Sequence, residues 1–214
     1  MPPVPAHPKL YHIVHHDRLP SIIARGALLS DAAVRERNLA GTGIGNQEIK
    51  DRRLANQIAC CPGLTVGACV PFYFCPRSVM LYVIHRNNSG LAYAGGQAPI
   101  VTLEFDLHTV REDAENDKRR WAFTTSNAGA FVFRDYGGVA ELEHVRWDII
   151  NERDWRREDV KTAKQSEFLV EREVPWHCVE RIGALNQATL NAVANHLGTT
   201  NHRPVVERIP HWYY

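Results

Sequence analysis

Glu167 is the carboxylate whose sequence context is most suggestive of chemistry. It follows a basic, polar segment and directly precedes the apolar run 168–170 (FLV), whose residue types favour a β-strand. A carboxylate fixed by a strand near cations can stabilise positive charge that develops in a transition state. The alternative is an edge-strand carboxylate paired with Lys164 or Arg172, and spacing alone favours that alternative.

Arg53 is the candidate cation for such a site. It lies four residues after Ile49 in a helix predicted to run from 47 to about 57, with Asn46 as a suitable N-cap. Side chains four positions apart share a helix face, so Arg53 is expected to be held over a pocket. The glycine-rich turn 41–46 before this helix lacks a P-loop ending, but its backbone N–H groups could meet phosphate.

His12 and Tyr73 are the remaining residues that could contact a small molecule. Both lie in short predicted strands, at 10–14 and 70–74. Alternation along a strand turns Tyr73 away from its two phenylalanine neighbours, so it is free to line a cleft. For His12 the usual alternative is a histidine that is hydrogen-bonded within the core.

The elements that must position these residues indicate an α+β fold with short, mostly antiparallel strands and marginal helices. The strand at 179–185 is expected to be the hairpin partner of the strand that contains Glu167. Asp17 is a candidate N-cap and Gly26 a candidate C-terminal residue for a helix between them. Further strands are predicted at 99–107, 121–125, 131–133 and 203–209, and further helices at 77–84, 139–150 and 186–197.

Length and composition restrict the function class. The 214 residues fit a single domain over 1–214, and 44% are hydrophobic and 23% charged, as in globular proteins. No apolar run approaches the roughly 18 residues of a membrane span, and we expect a cytoplasmic protein. The net charge of +1 predicts no bulk affinity for polyanions. Three basic clusters, at 50–53, 118–120 and 153–164, either share a phosphate-binding face or are separate solvated surfaces.

The cysteines indicate neither a disulfide framework nor a metal site. Their number is five, and the sequence contains no CxxC and no HExxH motif. We therefore expect reduced thiols and no structural metal.

Several blocks of the sequence occur together and in the same order as in the DarT family of DNA ADP-ribosyltransferase toxins, which the chain resembles over nearly its whole length. The two most specific blocks are 70–78 (VPFYFCPRS) and 164–170 (KQSEFLV). The other matching blocks are 11–13 (YHI), 44–46 (IGN), 49–53 (IKDRR), 80–82 (MLY), 95–97 (GGQ), 99–100 (PI), 123–124 (FT) and 212–214 (WYY).

The resemblance implies an ADP-ribosyltransferase fold in which two small, mostly antiparallel sheets form a cleft for NAD. It also implies transfer of ADP-ribose from NAD to a base in single-stranded DNA without a metal, and a macrodomain antitoxin, DarG, that removes the modification. We expect thymine N3 to be the acceptor. The alternatives are a guanine, RNA or protein acceptor, or a non-catalytic nucleic-acid-binding module.

Matched by position, Glu167 resembles the catalytic glutamate and Arg53 the active-site arginine. His12 resembles the histidine that holds the adenosine-side ribose, and Tyr73 a tyrosine of the nicotinamide pocket. The implied NAD-binding residues are His12, Val14, Ile44, Asn46, Arg53 and Tyr73. The implied DNA-binding residues are Arg77, Met80, Asn127, Arg157, Lys161 and Lys164, and the loop 153–166 would recognise the target.

The chain departs from the family pattern at three places. Val14 stands where a threonine is common, and Asn127 where some members carry a histidine beside the acceptor base. Thr125 and Ser126 replace a common Asp-Arg or Asp-Gly pair. These departures leave the preferred DNA sequence open.

Overall fold

A long, mostly antiparallel sheet carries the residues of interest. The structure is a computed structural model that describes residues 3–39, 41–198 and 200–214. Its strands within those residues are β1 (Lys9–His15), β2 (Ala27–Leu29), β3 (Cys69–Tyr73), β4 (Ile100–Asp106), β5 (Trp121–Thr124), β6 (Asp135–Tyr136), β7 (Glu167–Glu171), β8 (Glu173–Pro175), β9 (Val179–Ala184) and β10 (Val205–Arg208). Its α-helices are α1 (Leu19–Arg25), α2 (Asp31–Glu36), α3 (Gln47–Ala55), α4 (Val79–His85), α5 (Leu107–Asn116), α6 (Glu158–Ala163) and α7 (Gln187–Leu197).

The strand order brings distant parts of the chain side by side. In the described residues, eight strands form one sheet in the order β10-β9-β4-β1-β3-β7-β5-β6, and β2 and β8 form a second sheet. In the large sheet only the β10–β9 pairing is parallel. Tyr73 of β3 is in register with Tyr11 of β1 on one side and with Glu167 of β7 on the other. The prediction of two small sheets was therefore wrong about sheet size, because one sheet has eight strands and the other has two. The α+β, mostly antiparallel character is confirmed.

Aromatic packing fixes β3 and β7 against the rest of the sheet. The rings of Phe72 and Phe105 meet edge to face, with centroids 5.0 Å apart. The ring of Phe168 on β7 stacks on the ring of Trp121 on β5, with centroids 5.4 Å apart. Such pairs contribute about 0.5–1.5 kcal/mol each beyond their buried area. Strand β4, predicted at 99–107, is buried at every position because elements cover both of its faces, and it lies inside the sheet between β9 and β1.

Two predictions about strands were wrong. The segment at 179–185 does form a strand, but β9 pairs with β4 and β10, whereas β7 pairs with β3 and β5. The segment 131–133 is not a strand. Phe131 and Val132 are instead 85% and 87% exposed, and pairing resumes only at β6. Apolar residue type had predicted burial there, but no neighbouring strand covers these two side chains.

The helix predictions were right in position and less accurate in detail. The predicted helix at 139–150 is only a 3₁₀ helix, Val139–His144, followed by turns. Helix α4 begins after Arg77, because the Ser78 hydroxyl accepts from the backbone N–H of Leu81 and caps the helix. Asp17 does not cap α1, since its carboxylate accepts hydrogen bonds from Thr42 instead. Within the described residues, no helix combines the length and apolar character needed to cross a bilayer.

Candidate active site

Glu167 and Arg53 form a buried, two-pronged ion pair. The Arg53 Nη1 donates to Glu167 Oε1 at 2.9 Å, and Nη2 donates to Oε2 at 2.8 Å. Glu167 is 3% exposed and Arg53 is 8% exposed. Burial by itself would lower the pKa of Arg53, but the facing carboxylate outweighs it and holds that pKa above its usual range. Arg53 is thus a permanent cation that fixes the orientation of the Glu167 carboxylate.

Helix α3 delivers Arg53 to this position and is fixed at both ends. At its start, the Asn46 Oδ1 accepts from the Ile49 N–H at 3.0 Å, and the Asn46 Nδ2 donates to the Gly90 carbonyl at 2.6 Å. Near its end, a Cβ at Gly67 would lie 2.8 Å from the Leu54 nitrogen, so the helix packs there against bare backbone. The predicted cap and the predicted cleft-facing side of Arg53 are both observed.

Tyr73 lies on β3, which pairs with the Glu167 strand β7, and His12 lies on β1, the next strand beyond β3. Burial raises the pKa of Tyr73, and the Glu167 carboxylate raises it further, so the phenol keeps its proton at neutral pH. His12 Nδ1 lies 2.7 Å from the Pro71 carbonyl oxygen. Burial lowers the pKa of His12 despite that hydrogen bond. In the neutral ring, Nδ1–H therefore donates to the carbonyl, and Nε2 is left as an acceptor.

The cleft consists of two adjoining cavities whose walls share Tyr73 and Met80. One cavity, of about 190 Å³, is lined by His12, Val14 and Ile44. The other, of about 300 Å³, is lined by Asn46, Arg53, Asn127, Gln165 and Glu167. All of the predicted NAD-binding residues thus line one two-part cleft. An elongated cleft with a fixed carboxylate at one end suits a dinucleotide whose glycosidic bond is cleaved at that end.

The predicted DNA-binding residues are not all placed alike. Met80 and Asn127 line the cleft. Asn127 Oδ1 already accepts from the Gly129 N–H at 2.8 Å, so the amide NH₂ is the group that remains for a base carbonyl. The Arg77 guanidinium lies over the Tyr214 ring, 4.3 Å from its centroid.

The cations of the segment 153–164 are less available for DNA than the sequence predicted. Arg157 is exposed and Lys161 is half-buried, and they form ion pairs with the neighbouring carboxylates of Asp159 and Glu158 respectively. Lys164 is 1% exposed, and its Nζ donates to the Ile150 carbonyl at 2.8 Å. The prediction that Lys164 contacts DNA phosphate was therefore wrong, because its ammonium is satisfied in the interior.

The cleft wall includes three charged residues, Arg18, Asp31 and Lys50, that were not identified as cleft residues from the sequence. Asp17 Oδ2 accepts from the Thr42 hydroxyl at 2.6 Å, and Arg18 Nε donates to the Thr42 carbonyl at 2.9 Å. Lys50 donates to Asp31 at 2.7 Å in the wall of the smaller cavity. These contacts hold the glycine-rich segment over the cleft. The sequence gives no signal for them, because each joins residues far apart in the chain.

Comparisons with known proteins agree on one family. The family model described as "ssDNA thymidine ADP-ribosyltransferase, DarT" matches residues 11–214. A DNA ADP-ribosyl transferase of Thermus aquaticus is 32% identical over 215 residues, which cover 99% of this chain and 90% of the relative. The structure of Thermus sp. 2.9 DarT in complex with ADP-ribosylated ssDNA superposes with a TM-score of 0.89 at 29% identity, covering 100% of this chain and 99% of that one. The same protein in complex with NAD⁺ gives a TM-score of 0.84 at 28% identity, covering 99% and 100%.

Proposed function

The chain belongs to the DarT family of NAD-dependent DNA ADP-ribosyltransferases, and on that premise we propose that it transfers ADP-ribose to thymine N3 in single-stranded DNA. The observation that carries the proposal is the buried, two-pronged pair of Arg53 and Glu167 at one end of a two-part cleft. By position, Glu167 is the catalytic residue, and His12 and Tyr73 lie where NAD would be held.

The transfer needs no co-substrate beyond NAD and the base, and the protein supplies the proton acceptor. The bond between the ribose C1′ and the nicotinamide nitrogen breaks, and its electron pair neutralises the pyridinium, so nicotinamide leaves uncharged. The ribose becomes an oxocarbenium-like cation, as in glycoside cleavage. Glu167 stabilises this cation by its charge and by accepting a hydrogen bond from the ribose 2-hydroxyl.

The second half of the step joins C1′ to the acceptor nitrogen and releases the proton that thymine N3 carries. Arg53 remains protonated in its pair with Glu167, so it orients groups but does not accept this proton. Glu167 is the proton acceptor of the two. The Asn127 NH₂, at the wall of the same cavity, is positioned to donate to a carbonyl that flanks N3.

A single-stranded acceptor follows from the chemistry of the base. In a duplex, thymine N3 is hydrogen-bonded to adenine and stacked in the interior, so the enzyme would have to unpair it at a cost of a few kcal/mol. A single strand exposes the same atom without that cost. The family is described by its action on ssDNA, and the similar Thermus sp. 2.9 protein is seen in complex with ADP-ribosylated ssDNA. Both findings support this acceptor.

Oligonucleotides with single bases replaced test the acceptor directly. The protein is incubated with NAD and with single-stranded oligonucleotides that contain thymine, or in which every thymine or every guanine is replaced, and with the matching duplexes. Mass spectrometry should find an ADP-ribose adduct only on single strands that contain thymine. An adduct that persists without thymine, or that prefers the duplex, would refute the proposed acceptor.

We also propose that the chain acts as a cytoplasmic toxin whose single catalytic domain is opposed by a DarG-like macrodomain antitoxin. The support is the family resemblance of the sequence. Induced expression in a bacterial host should arrest growth, and co-expression of a macrodomain that removes ADP-ribose from DNA should relieve the arrest. The matched control is Glu167→Gln, which should not arrest growth. Arrest by both forms would show that toxicity is unrelated to transfer.

A further inference from the structure

Phe131 and Val132 form an apolar patch on the protein surface that no other element of the described chain covers. The two side chains are 85% and 87% exposed and adjacent in sequence. Large exposed apolar groups usually mark a binding surface when they occur together. Their position beside the candidate active site makes this patch relevant to the substrate.

The loop that presents this patch is held firmly on both sides. Asn56 Nδ2 donates to the Ala128 and Ala130 carbonyls at 3.0 and 2.8 Å. On the other side, Phe133 packs against a buried cluster, and the Asp135 carboxylate accepts from the Cys60 N–H at 2.7 Å. The exposure of the patch is thus a property of an ordered loop.

Helix α3 connects this loop to the catalytic pair. A Cβ at Gly129 would lie 3.8 Å from Arg53 Cγ, and Phe131 follows two residues later, at most about 7 Å of chain away. Arg52, the neighbour of Arg53 on the helix, places its guanidinium carbon 4.8 Å from the Phe131 ring centroid. One helix therefore points Arg53 into the cleft and Arg52 under the exposed ring.

The charges around the ring suit a nucleic acid. Among the described residues, neither Arg52 nor Arg134 has a carboxylate within ion-pair distance, and Asp51 and Glu167, the acids next to Arg52 and Arg53, are paired with Arg35 and Arg53. The Phe131 ring provides a stacking surface for a base, and Arg52 beneath it and the exposed Arg134 three residues further along the loop provide charge for nearby phosphates.

We propose that Phe131, supported by Arg52, stacks on a base that flanks the acceptor nucleotide in the single-stranded DNA substrate. This inference rests on the proposed function for the identity of the strand. Phe131 supplies the stacking face, Arg52 and Arg134 neutralise adjacent phosphates, and the cleft holds the acceptor base itself. The site reads no particular base, because every base offers a stacking face.

Equilibrium binding of a fluorescein-labelled single-stranded oligonucleotide without NAD tests the proposal independently of transfer. Phe131→Ala should weaken binding about tenfold, which corresponds to about 1.4 kcal/mol and is in the range for base–aromatic stacking. Phe131→Trp should restore it. The control is Val205→Ala, which removes an apolar side chain that is 53% exposed on β10, at the opposite end of the sheet from β6. Thermal unfolding should show that all three variants are folded.

Abasic oligonucleotides identify the stacked base. An abasic residue at one position beside the thymine should weaken binding to the wild type about as much as Phe131→Ala does, and should add little to the effect of that variant. Arg52→Gln should instead flatten the dependence of affinity on salt, which Phe131→Ala should leave as it is.

Each outcome bears on one of the two proposals. Affinity within twofold of wild type for Phe131→Ala, or equal effects of every abasic position on both proteins, would overturn the stacking site. The same result together with loss of binding to a macrodomain antitoxin would reassign the patch to a protein partner. Binding that depends on Phe131 without any adduct in the transfer assay would support the stacking site and refute the proposed acceptor.

Discussion

At the scale of single residues, the proposed chemistry depends on the buried pair of Glu167 and Arg53. Two parallel hydrogen bonds join the Arg53 guanidinium to the Glu167 carboxylate, and both side chains are nearly inaccessible to water. A buried pair of this kind is costly to disrupt, because removal of one partner leaves the other charge buried and uncompensated. Variants at either position must therefore be assessed for both activity and stability.

Glu167→Gln removes the negative charge and keeps the shape of the side chain. We expect transfer to fall by about 100-fold or more, as for the loss of a preorganised charge, and the free energy of unfolding to fall by about 3–5 kcal/mol, because the buried Arg53 cation is left unpaired. Adduct formation and denaturant unfolding measure the two effects. The control is Glu171→Gln on the same strand, which disrupts a pair with Arg120 outside the cleft. Transfer by folded Glu167→Gln at the level of this control would exclude Glu167 as the catalyst.

Arg53→Lys tests the fork geometry. Lysine keeps the positive charge but cannot donate two parallel hydrogen bonds to Glu167. We expect transfer to fall about 100-fold, because the carboxylate loses its fixed orientation. Arg120→Lys is the matched control, since Arg120 donates from two nitrogens to Glu171. Similar transfer by the two variants would show that charge alone is sufficient at Arg53.

His12 makes stability depend on pH. Burial lowers its pKa in the folded protein below the ordinary value of 6.5. Between these two values the unfolded chain binds more protons, so acidification favours unfolding. The stabilisation is fully present above pH 6.5 and is lost as pH falls through the folded pKa. Unfolding from pH 7.5 to 5.5 should show a weaker pH dependence for His12→Gln than for the wild type. The exposed His211 is the control position, and an equal effect of His211→Gln would contradict this assignment.

Among the elements, α3 does most to assemble the site. Its N-cap, Asn46, also reaches the Gly90 carbonyl, and its last turn packs on Gly67. A small shift of this helix would move Arg53 away from Glu167 and Arg52 away from Phe131 at the same time.

Asn46→Ala tests the helix as a unit. Loss of the cap should lower the free energy of unfolding by about 1 kcal/mol and should reduce transfer per folded molecule by more than that stability loss explains. Asn186→Ala removes the equivalent cap of α7, where Oδ1 accepts from the Thr189 N–H at 2.9 Å. This control should lose similar stability and keep its transfer. Equal transfer by the two folded variants would show that the position of α3 is not set by its cap.

At the scale of the whole molecule, the net charge is only +1, and ion pairs leave few cations free to contact a polyanion. Many of its basic side chains are paired with carboxylates, including Lys50, Arg120, Arg156 and Arg157. In the described residues, Arg52 and Arg134 beside the Phe131 loop, together with Arg77 and Arg153, have no carboxylate within ion-pair distance. The surface that we propose to face DNA therefore offers about three or four of these charges to phosphates.

The salt dependence of binding should be correspondingly shallow. Three or four phosphate contacts to a single strand predict a slope of about −2 to −3 for the logarithm of the binding constant against the logarithm of salt concentration. Titration of the same oligonucleotide at several salt concentrations measures this slope. A slope of about −5 or steeper would mean that the paired arginines open and also bind phosphate.

The sequence by itself determined the features that depend on local spacing. The N-cap at Asn46 and the orientation of Arg53 rather than Arg52 toward the cleft follow from contacts within four residues of the chain. The left-handed glycine after α1, Gly26, is equally local. The position of Glu167 at the start of a strand was also predicted, because strand-forming residues follow it directly.

Only the tertiary structure decided which distant residues meet. The Arg53–Glu167 pair joins positions 114 residues apart, and β7 pairs with β3 rather than with the adjacent β9. Burial of Lys164 and exposure of Phe131 both contradict what their residue types predict. The physical reason is that strand pairing and coverage depend on which surfaces come together in space, and a residue's chemical type does not specify its neighbours.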